Sequence, residues 1–80
     1  MQTRRFLITG GSQGIGAALV EMATAAGHQV VFTGRNRVLV DTVAGKTGAN
    51  GVLADVGVAA DNERTVAVCH ERMGGVDVLV

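Results

Sequence analysis

Four short apolar runs punctuate the chain: Phe6 to Thr9, Val30 to Thr33, Val52 to Ala54 and Val76 to Val80. None alternates polar with apolar residues, which is the pattern of strands covered on both faces, as in a parallel sheet. Between the runs lie three segments with helical spacing. The first, Gly14 to Ala26, carries Ile15, Leu19, Met22, Ala23 and Ala26 as an apolar stripe, and Gly27 stands where a C-cap belongs. The second, Arg37 to Ala44, offers Leu39 and Val43 and gives way to the glycine-punctuated stretch Gly45 to Gly51. The third runs from Val58 to Met73, with Ala59, Val66, Cys69 and Met73 on one stripe, and Gly74 and Gly75 stop it. On this spacing Met22 and Met73 are core fillers and Cys69 is buried.

Strand–helix alternation of this kind predicts right-handed βαβ units and therefore an α/β architecture. The expected form is a doubly wound parallel sheet of about four strands, in the order 3-2-1-4, with three helices. Eighty residues give one small domain, 1–80, with no linker, repeat or second domain. A chain of this size buries only about 60% of its unfolded surface, so its stability margin is thin.

Seven basic residues balance seven acidic ones, so the chain lacks the basic excess that nucleic acid or anionic lipid attracts. Cys69 is the single cysteine; it can form no internal disulfide and no cysteine-based zinc site, which suits a reducing cytoplasm. Arg4, Arg5, Phe6 and Leu7 resemble a twin-arginine export signal, but Gly10 and Gly11 cut the apolar stretch too early for one. No segment approaches the ~18 apolar residues of a membrane span. A cytoplasmic protein with neither nucleic acid nor membrane as partner is expected.

The stretch Gly10-Gly11-Ser12-Gln13-Gly14-Ile15-Gly16 falls between a predicted strand and a predicted helix. Free backbone N–H groups and the positive end of the helix dipole collect there, so an anion is the natural guest. Three chemistries use such a loop. A nucleoside triphosphate loop needs Gly, four residues, then Gly-Lys-Ser/Thr; Gly11 and Gly16 have the spacing, but Ala17 and Ala18 follow. A serine-hydrolase elbow, Gly-x-Ser-x-Gly, matches Gly10 to Gly14, and aspartates and then His70 follow in the right chain order. Yet an elbow normally has several strands before it, and here there is one. A dinucleotide loop uses every glycine, in the form Thr9-Gly10-x-x-x-Gly14-Ile15-Gly16.

In that form the sequence resembles the short-chain dehydrogenase/reductase family over essentially its whole length. Thr33-Gly34-Arg35-Asn36 is similar to the family's turn after the second strand, and Asp55-Val56 to the pair that closes the third. Gly74-Gly75-Val76-Asp77-Val78-Leu79-Val80 is similar to the lead into the fourth. The resemblance implies a partial Rossmann sheet with cofactor contacts from Gly10, Ser12, Gln13, Gly14, Ile15 and Gly16 in the loop. It implies further contacts from Gly34, Arg35 and Asn36 after the second strand and from Asp55 and Val56 after the third. For Asp55 the implied role is a hydrogen bond to the adenine amino group; the alternative is that it caps the third helix. Asp77 reads as structural, and His28 and His70 as ordinary surface or boundary residues.

An NAD site places an acidic side chain about 20 residues past the glycine loop to take the ribose hydroxyls. Gly34 stands there, followed by Arg35. Glycine leaves room for a 2′-phosphate and arginine supplies a planar fork of donors, so NADP(H) is favoured over NAD(H), with Ser12, Asn36 and Arg37 in reach to assist. A solvated surface arginine is the alternative reading of Arg35.

The family's chemistry implies an Asn-Asn-Ala-Gly segment after the fourth strand, then a catalytic Asn, a Ser and a Tyr-x-x-x-Lys pair. The sequence ends at Val80 before that segment and contains no tyrosine, so no catalytic residue and no carbonyl reduction are expected of it. The expected role is the cofactor-binding N-terminal portion of a longer oxidoreductase. The alternative is a complete small protein that binds nucleotide without catalysis or pairs with itself through the open edge of its fourth strand. Asn62 and Thr65 stand where the family's third helix is usually apolar, which predicts looser packing there.

Overall fold

The computed structural model describes residues 2–80. Strands and helices alternate without exception: β1 (Arg5–Ile8), α1 (Gly14–Ala25), β2 (Gln29–Gly34), α2 (Arg37–Thr47), β3 (Asn50–Leu53), α3 (Ala59–Met73) and β4 (Val78–Leu79). The four strands form one parallel sheet in the order β3-β2-β1-β4. Leu7 lies opposite Val31 and Leu79, and Phe32 opposite Gly51.

Consecutive side chains of a strand point to opposite faces, and here both faces are covered, so a run with no alternation is the natural outcome. Ile8, Val30 and Phe32 join Val20 and Ala23 of α1 and Val40 of α2 in one core. Leu7, Val31 and Val52 join Cys69 and Met73 of α3 in the other. Burial pushes the pKa of the Cys69 thiol up, as for an inert packed side chain.

The helix faces differ from the sequence expectation. Met22 is 68% exposed and Ile15 83% exposed, so neither is a core filler. Leu19 and Ala23 of the expected stripe do pack on the core, and Val20 and Gly16 complete the packed side, Gly16 because its small size lets the helix lie close to the loop. In α3 the buried line is Thr65, Cys69 and Met73, spaced four apart, and Val66 is exposed. Thr65 is tolerated in the core because its hydroxyl donates to Asp61 O at 2.8 Å. Asn62 lies at the exposed surface, where a polar residue loosens no packing. Helix α2 continues through Gly45 to Thr47 and stops at Gly48, whose φ of 78° is left-handed. The C-cap of α1 is Ala26, with Gly27 just beyond it.

Strand β4 is shorter than Val76 to Val80, but its flanks are tied to β1. Val80 N–H donates to Leu7 O and Thr9 N–H to Val80 O, both at 2.9 Å. At its start Asp77 plays the structural role expected of it. Its Oδ2 accepts from the Arg5 backbone N–H (2.9 Å) and from Nε (3.0 Å), and its Oδ1 accepts from Nη2 (2.8 Å). The Arg5 side chain and backbone together hold the Asp77 carboxyl down at about 2, from an ordinary 3.8. The stabilisation is therefore complete above the ordinary value and disappears as pH falls through about 2. Acidification across that window should loosen β4 before the rest of the sheet, seen as selective changes in the amide NMR signals of Val78 and Leu79. In Asp77→Asn the acid-dependent step should vanish.

His28 also has a structural task. Its Nδ1 accepts from Arg4 N–H at 3.0 Å, and its ring lies 5.1 Å from that of Phe6.

Candidate functional site

Past β1 the chain turns through Thr9 to Gln13 before α1 begins. Gly10 and Gly14 have φ of 69° and 60°, conformations that side-chain-bearing residues avoid, and nothing stands within 4 Å of where a Cβ on either would be. That bare, open surface can take a bulky anion against the backbone. Gly11 and Gly16 serve the opposite need. A Cβ at Gly11 would stand 2.7 Å from Phe32 Cβ. One at Gly16 would collide with Gly10 O and lie 2.8 Å from Gly10 C and 3.0 Å from Gly11 Cα. Two glycines thus clear a surface, and two let helix and loop close on each other.

The loop is fastened to the end of β2 by Thr33. Gly11 N–H donates to Thr33 O (2.8 Å) and Gly10 N–H to Thr33 Oγ1 (3.3 Å). The N-cap residue of α1, Gln13, makes no side-chain cap bond, and no acidic residue occupies the first turn. The helix's positive end is left for an external anion.

A cleft of about 720 Å³ opens beside this loop. Gly10, Ser12 and Gln13 form one wall, Gly34, Arg35 and Asn36 a second, and Asp55 and Val56 a third. Those eight expected site residues come together. Gly14, Ile15 and Gly16 lie outside the lining: Gly14 opens the helix, Gly16 packs on the loop and Ile15 is exposed. The cleft also includes Thr33, Leu39 and Ala54, which sequence reasoning did not single out as site residues. Thr33 carried a signal, a polar residue closing an otherwise apolar strand. Arg37 lines a different groove, along the outer side of β3, and does not join Arg35 in the cleft.

Ser12 is buried, at 8% exposure. A Cβ at Gly34 would overlap Ser12 Oγ and stand 2.7 Å from Ser12 Cβ and 2.8 Å from Val40 Cγ2. Gly34 therefore has a local reason to be glycine, the close approach of the loop to β2, apart from any room it leaves for a ligand. Among the described residues no histidine lines the cleft, and His70, exposed on α3, does not join Ser12 there as the elbow reading requires.

Asn36 is the N-cap of α2, its Oδ1 accepting from Leu39 N–H at 3.1 Å. Asp55 does not cap α3. Its Oδ1 accepts from Gly57 N–H at 2.8 Å in a tight local turn, while the N-cap of α3 is Val58, which has no polar side chain. Among the described residues no donor takes Asp55 Oδ2, which is left for a ligand.

The family model for short chain dehydrogenases matches residues 4–80. The chain belongs to this family. It is 36% identical over its whole length to dehydrogenase/reductase SDR family member 4 of Sus scrofa, and 34% identical to the mitochondrial member 2 of Homo sapiens. It spans 30% of the length of each of these relatives. The fold matches a crystal structure of 3-ketoacyl-(acyl-carrier-protein) reductase from Brucella melitensis complexed with NADH. The TM-score is 0.91 at 31% identity, over 95% of this chain and 32% of that one. A short chain dehydrogenase from Bacillus anthracis superposes with a TM-score of 0.89 at 26% identity, over 95% of this chain and 34% of that one. The chain is thus the cofactor-binding, N-terminal part of the family's fold, a four-stranded parallel sheet in Rossmann order.

Proposed function

We propose that the chain binds NADP(H) in preference to NAD(H), as the cofactor-binding portion of a cytoplasmic dehydrogenase/reductase. The observation that carries this reading is the cleft itself. It places the open face of the glycine loop opposite Gly34-Arg35, with no carboxylate after β2 to repel a 2′-phosphate. The residues present fit such a cofactor: the uncapped start of α1 and the bare Gly10 suit a pyrophosphate, and Asp55 Oδ2 suits the adenine amino group. Bound there, the cofactor supplies hydride chemistry; this chain's residues anchor and orient its adenine half. The part proposed for this chain is to bind the cofactor; the proton-transfer tyrosine that the resemblance implies is not among its 80 residues. The NADH in the Brucella relative is that protein's ligand; the preference proposed here rests on Arg35 of this chain.

A charge-assisted hydrogen bond from Arg35 to a 2′-phosphate is worth roughly 1.5–3 kcal/mol, hence about tenfold to hundredfold in affinity. Arg35→Ala should weaken NADPH by that factor and leave NADH nearly unchanged in parallel fluorescence titrations. Equal losses for both cofactors would remove the basis for the preference.

A second reading is strand pairing between copies through β4, supported by Leu79 at 69% and Val80 at 48% exposure on the sheet edge. It requires a concentration-dependent dimer in sedimentation velocity.

A further inference from the structure

We propose that Asp61, Asn62 and Arg64, in the first turns of α3, are positioning residues that hold the Asp55–Val56 wall of the cleft in the shape the cofactor's adenine end requires. The inference rests on the cofactor reading above. The wall needs such support because the sheet stops short of it. Strand β3 lies at the sheet edge and ends at Leu53, and Ala54 N–H makes the last contact with β2, to Gly34 O at 2.9 Å.

From there three side chains of α3 hold the backbone in turn. Arg64 Nη2 donates to Leu53 O, Asp61 Oδ2 accepts from Asp55 N–H at 2.9 Å, and Asn62 Nδ2 donates to Val56 O at 2.9 Å. Arg64 Nη1 also donates to Asp61 Oδ1 at 3.0 Å, so the arginine and the carboxylate brace each other while each holds the wall. The Asp55 amide and the Arg64 guanidinium hold the Asp61 carboxyl below its ordinary pKa, so it is fully ionised at neutral pH.

The arrangement follows from an oddity of the helix start. Val58 occupies the N-cap and offers no oxygen to the first turn. Asp61, three residues on, instead reaches back past the cap to Asp55 N–H. None of the three side chains lines the cleft, so they act through the backbone they hold rather than by touching the cofactor. Because α3 is anchored in the core by Thr65, Cys69 and Met73, the wall inherits the rigidity of that packing.

The test uses 5′-AMP, which carries the adenine end common to NADP(H) and NAD(H), and nicotinamide mononucleotide, which carries the other end, as competitors of NADPH fluorescence on the full chain. Asp61→Ala should weaken 5′-AMP about tenfold, the order expected when one charge-assisted hydrogen bond is lost, and leave nicotinamide mononucleotide within about twofold. Hydrogen exchange at the Asp55 amide should accelerate in the same variant. Asp61→Asn keeps an acceptor for that amide and should recover most of the 5′-AMP affinity. Unchanged 5′-AMP affinity in a folded Asp61→Ala protein, or equal losses for both halves, would overturn the inference. If circular dichroism shows Asp61→Ala unfolded, Asn62→Ala takes its place: selective loss of 5′-AMP supports the inference, and unchanged or equal affinities overturn it. A wild-type chain that binds NADPH at neither half would overturn the cofactor reading, and this inference with it.

Discussion

Gly16→Val should abolish detectable NADPH binding. The Cβ of any residue larger than glycine at this position falls onto Gly10 O and within 3.0 Å of Gly11 Cα. Overpacking against side chains costs about 1–3 kcal/mol, because side chains can turn aside. Here the obstacle is backbone, and Gly11 behind it is packed on Phe32, so α1 must move off the loop. That displaces the helix's positive end from the open faces of Gly10 and Gly14, where an anion would sit. Calorimetric titration should show a loss of at least about hundredfold, near 2.7 kcal/mol. Thermal denaturation should fall by roughly 5–15 °C for a domain of this size. Gly45→Ala is the matched control: nothing stands within 4 Å of that Cβ, and Ala is the better helix former, so both measurements should stay level or improve slightly.

Phe32→Ala should cost about 3–5 kcal/mol, the range for removing a buried aromatic side chain. Phe32 is fully buried, in a strand with neighbours on both sides, and packs within the core that α1 and α2 cover. Stability scales at roughly 0.05–0.15 kcal/mol per residue, so such a loss removes a large share of what a domain this small holds. The urea midpoint should drop sharply with little change in slope, and much of the protein should be unfolded before denaturant is added. The cofactor loop would suffer too, because Gly11 rests on the first carbons of this side chain. A midpoint shifted only slightly would mean that the β2 core repacks far more freely than its close contacts imply.

The sheet was legible because its strands are covered on both faces: Val30 to Thr33 and Phe6 to Thr9 read as unbroken apolar runs, and the turns between them carry glycines at fixed places. The loop was legible for a related reason, since each of its glycines answers a local backbone demand that spacing alone records. The helix faces were not. Apolar periodicity gave weight to Ile15, Met22 and Val66, which are exposed, as well as to Ala23, which is buried, and it passed over Gly16, whose small size lets α1 approach the loop. Gly45 resembled a stop because glycine is a poor helix former, yet the helix runs through it to the left-handed Gly48. At the site, the Gly34–Ser12 approach joins positions 22 residues apart in the chain, and neither residue type announces it. The hold of Asp61, Asn62 and Arg64 on the backbone after β3 was likewise invisible, because it depends on how α3 is seated on the sheet.

The most direct test of the central claim is an NMR titration of the isotopically labelled chain with NADPH. Saturable amide shifts should gather at Gly10 to Gly16, at Gly34 to Asn36 and at Asp55 and Val56, with the Arg35 signal moving further for NADPH than for NADH. A folded chain whose spectrum stays unchanged up to millimolar NADPH, or whose shifts gather along the outer side of β3, would contradict it.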